Sequence, residues 1–219
     1  MTATATSPPL LPNNKGRKFP PEPLSRDEVR ALIGAASARY SSGVRLRAII
    51  AVMFGAGLRL GEVLALYPRD VDLCRGHIRV RHGKGNKSRL VGIDPYACGL
   101  LCAWMERRAT FSINGRAPMF CTYETGNMGN PLGPRYVRKA LAVLAERAGV
   151  EKRVHPHGLR HSLAFDLAMS GMPTHAIQAQ LGHASLAVTD RYVRHLAPAD
   201  VVEMMQSRSW GPTSVLGAE

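Results

Sequence analysis

Acidic residues are scarce in this chain: 16 against 29 lysines and arginines in 219 residues, a formal net charge of +13. That imbalance excludes a surface built for basic partners and is the electrostatic footprint of a polyanion binder, with an affinity expected to fall steeply with salt. Most of the positive charge is arginine, whose planar fork suits phosphate oxygens. GC-rich coding would account for arginine over lysine, but not for the excess of basic over acidic residues. Cysteines are few, at positions 74, 98, 102 and 121, and none forms a CxxC pair. A disulfide framework is thereby excluded, and the four are expected to be reduced core thiols of a cytosolic protein. Long hydrophobic runs free of charge are lacking too. The longest is bracketed by Arg45-Leu46-Arg47 and Arg59, which argues for a buried helix and against a membrane span. Residues 1–23 are rich in Thr, Ser and Pro without an apolar core, so they do not read as a secretion signal. No internal repeat is present.

What remains is enough for one well-buried domain: 45% of residues are hydrophobic. Residues 1–22 are expected to be a disordered basic, proline-rich tail, residues 23–206 the domain, and residues 207–219 a C-terminal tail. Ser25-Arg26-Asp27-Glu28 is a capping box that opens a helix to about residue 36. Residues 44–56 form a strongly apolar helix that Gly57 breaks, and a short helix restarts near Arg59. Tyr67-Pro68-Arg69-Asp70 is a turn. Residues 77–81 alternate as a half-buried strand does, residues 88–93 less cleanly, and the Gly/Lys/Asn turn between them predicts a β-hairpin.

Residues 96–109 have helical periodicity. Residues 111–133 make a long connection, expected to be functional or partly ordered. Pro134 then sits at the first position of a helix that Gly149 ends. Helices over about 159–170, 173–181 and 185–194 follow, then an amphipathic segment over 199–206 containing Val201, Val202, Met204 and Met205. The expected fold is mainly α with a small antiparallel β-sheet.

The chemistry-bearing residues are concentrated in the last third. His157-Gly158-Leu159-Arg160-His161 is followed by Leu181-Gly182-His183 and, nine residues after His183, by Tyr192. Upstream stand Gly57-Leu58-Arg59-Leu60-Gly61-Glu62 and Gly83-Lys84-Gly85-Asn86-Lys87. Breaking a phosphodiester without metal needs a nucleophile, a proton acceptor, positive charge on the non-bridging oxygens and an acid for the leaving oxygen. Tyr192 can be the nucleophile, since phenolate is both a fair nucleophile and a fair leaving group. Arg59 and Arg160 can hold phosphate oxygens, His157 can accept the tyrosine proton, His183 can donate to the phosphate, and Lys84 can protonate the leaving oxygen. His157 and Arg160, three apart, can share one face at a helix start, where the dipole also favours an anion.

Each piece has a plainer reading alone. Arg59 and Glu62 could be a surface i,i+3 pair, Lys84 a soluble hairpin tip, and Tyr192 a half-buried core residue. His155, His157, His161 and His183 could suggest zinc, but no cysteine or carboxylate stands beside them at ligand spacing.

Taken together and in this order, the motifs resemble the catalytic domain of the tyrosine recombinase/phage integrase family. The family pattern of Arg, Lys, His-x-x-Arg, His and Tyr is met by Arg59, Lys84, His157 with Arg160, His183 and Tyr192. The resemblance implies the recombinase catalytic-domain fold over roughly residues 23–206. It also implies strand cleavage and rejoining through a 3′-phosphotyrosine, with no cofactor and no metal. Glu62 and Asp70 resemble acidic positions that support the first arginine, and His161 is expected to assist structurally.

The implied partner is double-stranded DNA, bound by a homo-tetramer on paired sites through the C-terminal segment, with an accessory DNA-binding protein and no membrane. The implied location is the cytoplasm of a bacterium or phage host, at the nucleoid. Most of the family carry a helical DNA-clamping domain ahead of this region. In length the chain is nearer the small fimbrial-type invertases, and Lys15-Gly16-Arg17-Lys18 is expected to serve as a substitute arm. Two other functions stay open at this level: a type IB topoisomerase-like enzyme with the same chemistry, and a non-catalytic DNA-binding regulator of recombination sites.

Overall fold

The computed structural model describes residues 22–81 and 88–182. The segments that hold Lys84, His183, Tyr192 and the two helices expected after residue 184 lie outside the described residues.

Helix α1 (Arg26–Ala35) starts where the capping box requires. Ser25 Oγ accepts the Glu28 N–H at 3.1 Å, and Glu28 Oε2 accepts the Ser25 N–H at 2.7 Å. Helix α2 (Ser41–Gly55) is apolar all round from Ala48 onward, and Ala48, Ile49, Ile50, Val52 and Met53 are fully buried. A helix with no polar face has to be enclosed, and α2 lies against α4 (Pro95–Ala109) on one side and α6 (Pro156–Met169) on another. Gly57 ends this run at φ 70°. A Cβ there would stand 2.6 Å from Leu181 Cδ2 and 2.8 Å from Leu163 Cδ2, so the break is fixed by packing as well as by backbone. Helix α3 (Leu60–Leu64) follows, then a 3-10 turn (Pro68–Asp70).

Three antiparallel strands form one sheet in the order β1 (Val71–Asp72), β2 (His77–Val80), β3 (Arg89–Gly92). The register sets Ile78 opposite Val91 and Val80 opposite Arg89. Ile78, Val80 and Val91 are buried, so Arg89 shares the core-facing side of the sheet with them. The hairpin strands stand where their alternation placed them. Strand β1 escaped the sequence reading because two residues carry no period.

Helix α5 (Pro134–Arg147) begins at the proline, and Gly149 follows it at φ 64°. Helix α7 (Thr174–Leu181) packs on α6 through Leu163, Ala164, Ala168, Ile177 and Leu181, a small second cluster that meets the main core at Phe54.

Two expectations need correction, the burial of the cysteines and the start of α6. The long connection over residues 111–133 is partly ordered, as expected: Met119, Phe120 and Cys121 are fully buried, and Cys121 pairs with Pro131 in a β-bridge. The Met119 N–H donates to Leu66 O at 2.7 Å, Trp104 Nε1 donates to Met119 O at 3.0 Å, and buried Arg45 donates to Cys121 O at 2.5 Å. The cysteines are free thiols, but only Cys121 is a core residue. Cys98 and Cys102 are half-buried on α4, and Cys74 is exposed in the tight turn between β1 and β2. Helix α6 begins at Pro156 and not near residue 159, because His155 caps it. Its Nδ1 accepts the Gly158 N–H at 2.6 Å. Histidine is not among the usual N-cap residues, so the sequence pattern places this start a turn late.

Candidate active site

One carboxylate organises the site. Glu62, with a side chain only 6% exposed, accepts the Arg59 backbone N–H at 2.9 Å and Arg59 Nη1 at 2.8 Å. It also accepts both terminal nitrogens of Arg89, each at 2.9 Å. Arg160 Nη1 stands 4.0 Å away. Three guanidinium groups thus surround a single negative charge, which leaves a net positive floor.

Burial alone would push the Glu62 carboxyl up. The hydrogen bonds from Arg89 and the Arg59 N–H, the Arg89 charge and the Arg59 side-chain bond outweigh it and hold the carboxyl at about 2, against the usual 4.5. A carboxyl depressed on folding stabilises the fold fully above its unfolded value, and that stabilisation fades as pH falls from about 4.5 toward 2. Stability measured by urea unfolding across that window is expected to slope upward with pH in the wild type. The slope is expected to be flatter in Glu62→Gln.

The two arginines named by the sequence sit differently. Arg59 is the N-cap residue of α3 and keeps 35% of its side chain exposed. Its Nη1 is held by Glu62, and its Nη2 reaches Gly182 O at 3.4 Å. Arg160, on α6, is only 2% exposed, and its two terminal nitrogens donate to Gly57 O and Leu181 O. It ties the break after α2 to the end of α7, under the positive floor. His157 stands in the first turn of α6 at the surface, its ring centroid 6.5 Å from that of His155. Partial burial lowers its pKa below the usual 6.5, and electrostatic repulsion from His155, Arg160 and Arg59 lowers it further. The imidazole is therefore neutral at pH 7 and able to take a proton. His161 is buried beside Arg160 on the same helix.

Asp70 is not part of this group. Its side chain is buried at the foot of the hairpin, where Arg81 donates to it and the Tyr67 N–H donates at 3.0 Å. It caps the 3-10 turn and anchors β2. Lys84, His183 and Tyr192 lie outside the described residues.

Two residues at this site were not read from the sequence. Arg89 carries a signal in the sequence: strand alternation sets it on the same side as Val91, a charge on the apolar face. Gln180 had none. Its Nε2 donates to Ala56 O at 3.0 Å and Gly92 O at 2.7 Å, and its Oε1 accepts the Gly92 N–H at 3.0 Å. It fastens α7 to β3 and to the end of α2.

A buried carboxylate that fixes one half-exposed arginine, a second arginine beneath it and a neutral histidine at a helix start can receive a phosphate and accept a proton from an attacking hydroxyl. The sequence profile of the phage integrase family matches residues 22–198. The chain is 33% identical over 199 residues to the tyrosine recombinase XerD of Bifidobacterium longum, covering 86% of this chain and 63% of that protein. It is 36% identical over 201 residues to the tyrosine recombinase XerA of Thermococcus kodakarensis, covering 90% and 66%. The chain thus spans less than two thirds of the length of these relatives.

Among solved structures, a XerA recombinase superposes with a TM-score of 0.74 at 32% identity, over 89% of this chain and 68% of that one. A XerH site-specific recombinase bound to a palindromic difH substrate, in a post-cleavage complex, superposes with a TM-score of 0.69 at 26% identity, over 85% and 53%.

Proposed function

The chain belongs to the phage integrase family, and from that membership we propose that it is a site-specific DNA recombinase that cuts and rejoins strands through a 3′-phosphotyrosine. The observation that carries the proposal is the Glu62 cluster, in which one carboxylate fixes Arg59 beside buried Arg160 and the neutral imidazole of His157.

Each group then has a task. The Tyr192 phenol oxygen attacks the scissile phosphorus as His157 takes the phenol proton. Arg59 holds non-bridging oxygens with His183, and the guanidinium of Arg160 beneath it adds positive charge that stabilises what builds on them. Lys84 gives a proton to the departing 5′ oxygen. One P–O bond forms as another breaks, so the energy of the strand is kept in the phosphotyrosine ester. A 5′-hydroxyl from the partner strand reverses the step without a nucleotide cofactor. Glu62 and Arg89 touch no DNA and act through Arg59. The partner is double-stranded DNA. Exchange between two sites needs four copies, joined through the segment that follows Tyr192, with an accessory DNA-binding protein as a further partner. No helix among the described residues is long and apolar enough to cross a membrane. The proposed location is the cytoplasm, at the nucleoid.

The test is a supercoiled plasmid carrying two copies of DNA from the flanks of the gene, incubated with the protein in EDTA and without ATP. Exchanged products that require both copies support recombination. Relaxation of a plasmid without either copy would place the activity with the topoisomerases instead. A pH profile checks the proton acceptor. The rate of single-strand cleavage is expected to rise with pH through a midpoint below 6.5, because the His157 pKa lies under its ordinary value. In His157→Gln that acid limb is expected to disappear along with most of the rate.

A further inference from the structure

Arg89 takes no direct part in the chemistry above, yet its setting is tightly constrained. It stands on the core side of β3 with its side chain only 15% exposed. Both of its terminal nitrogens are given to Glu62, one to each oxygen, in a planar fork that a lysine cannot reproduce. Its Nε is buried and has no hydrogen-bond partner among the described residues. That edge of the guanidinium lies against bare backbone: a Cβ added to Gly182 would fall 2.7 Å from Nε, 2.8 Å from Cδ and 2.9 Å from Cζ. Gly182, at φ 63°, therefore turns between two arginines, with its carbonyl toward Arg59 and its Cα against Arg89.

We propose that Arg89 is a positioning residue for strand cleavage, which keeps Glu62 from drawing Arg59 away from the phosphate and sets the close approach of the Gly182 turn. The proposal rests on the recombinase reading. Its physical content is a competition for one carboxylate. With Arg89 present, both Glu62 oxygens are engaged by the Arg89 fork, and Arg59 takes a single terminal N–H to one of them. Without Arg89, a buried carboxylate with only half its donors closes on the nearest cation. Arg59 then gives both terminal nitrogens to Glu62 and loses the donors it would offer to DNA.

The test compares Arg89→Ala, Arg89→Lys, Glu62→Gln and the double variant Arg89→Ala/Glu62→Gln in the full chain. Cleavage of a nicked DNA substrate is measured at saturating protein, with DNA affinity measured separately. Arg89→Ala is expected to lose about 10- to 100-fold in cleavage rate, the effect of a small misplacement at a reacting centre, with affinity little changed. Arg89→Lys is expected to recover part of it. Glu62→Gln slows the wild type but is expected to raise the rate of Arg89→Ala, because it removes the charge that captures Arg59.

A merely structural role would make the two losses add. That result, or a full cleavage rate in Arg89→Ala, overturns the proposal. A readout that needs no activity separates this failure from failure of the recombinase reading. The Arg59 Nε–H resonance, assigned by its loss in Arg59→Ala, is expected to move in Arg89→Ala and to return in the double variant. A resonance that stays put overturns the proposal even if the wild type cleaves nothing.

Discussion

Tyr192→Phe is expected to bring strand cleavage down to the uncatalysed background while DNA affinity stays at the wild-type value. The change removes one oxygen and keeps the ring, so packing and charge are unaltered. In the proposed mechanism that oxygen is the atom that bonds to phosphorus, and phenylalanine has no atom to replace it. The contrast with other site variants is qualitative. Losing a charge-stabilising donor such as Arg59 is expected to slow cleavage by about 10²–10³ and leave a measurable remainder. Losing the nucleophile leaves none. Single-turnover cleavage of a nicked duplex, with affinity from a gel-shift titration of the same substrate, separates the two cases. Undiminished cleavage by Tyr192→Phe would mean that the phosphorus is attacked by something else. Equal behaviour of the two proteins in every assay, with DNA bound, would favour a binding regulator.

Arg160→Ala is expected to fail for a different reason, through folding as well as chemistry. The side chain is almost wholly enclosed, and its guanidinium is the donor for Gly57 O and Leu181 O. Alanine would leave both carbonyls short of a donor, open a cavity between α2, α6 and α7, and remove one of the three cations around Glu62. Breaking a buried charged group of this kind costs about 3–5 kcal/mol, which corresponds to a fall in Tm of roughly 10 °C for a domain of this size. Arg59→Ala takes away a half-exposed side chain and is expected to cost about 1 kcal/mol or less. Thermal unfolding of the two variants without DNA should therefore differ widely, although both lose cleavage. Similar Tm values would show that the carbonyl bonds of Arg160 contribute little.

The difference between the two arginines could not be read from the chain, although both stand in motifs that could. Gly-Leu-Arg and His-x-x-Arg say which side chains matter for phosphate chemistry, but burial depends on what crosses above them. Leu181 and Gly57 are far apart in sequence and meet at Arg160 only in the fold. Elements specified locally were legible: the Ser25 capping box, Pro134 at a helix start, Gly182 at a helix end, and the alternation that set β2 and β3.

What depended on distant pairing was not. Gln180 looks like an ordinary helical glutamine until β3 is brought beside it. Asp70 resembled a support for Arg59, but the hairpin brings Arg81 to it first. Residues 111–133 were legible as a long, partly ordered connection, but the groups that hold them, Leu66 O, Arg45 and the Trp104 indole, come from other elements and were not. Arg89 lies between these cases. Its inward direction was legible from strand parity, but its partner was not.

The most direct measurement is the identity of the residue that becomes linked to DNA. A nicked duplex from the flanks of the gene, labelled on the cleaved strand, is incubated with the protein in EDTA, and the trapped adduct is digested and mapped by mass spectrometry. A single linked peptide carrying the DNA 3′-phosphate on Tyr192 is the expected result. A link to any other residue, or a complex that binds the duplex tightly and never becomes covalent, would contradict the phosphotyrosine mechanism.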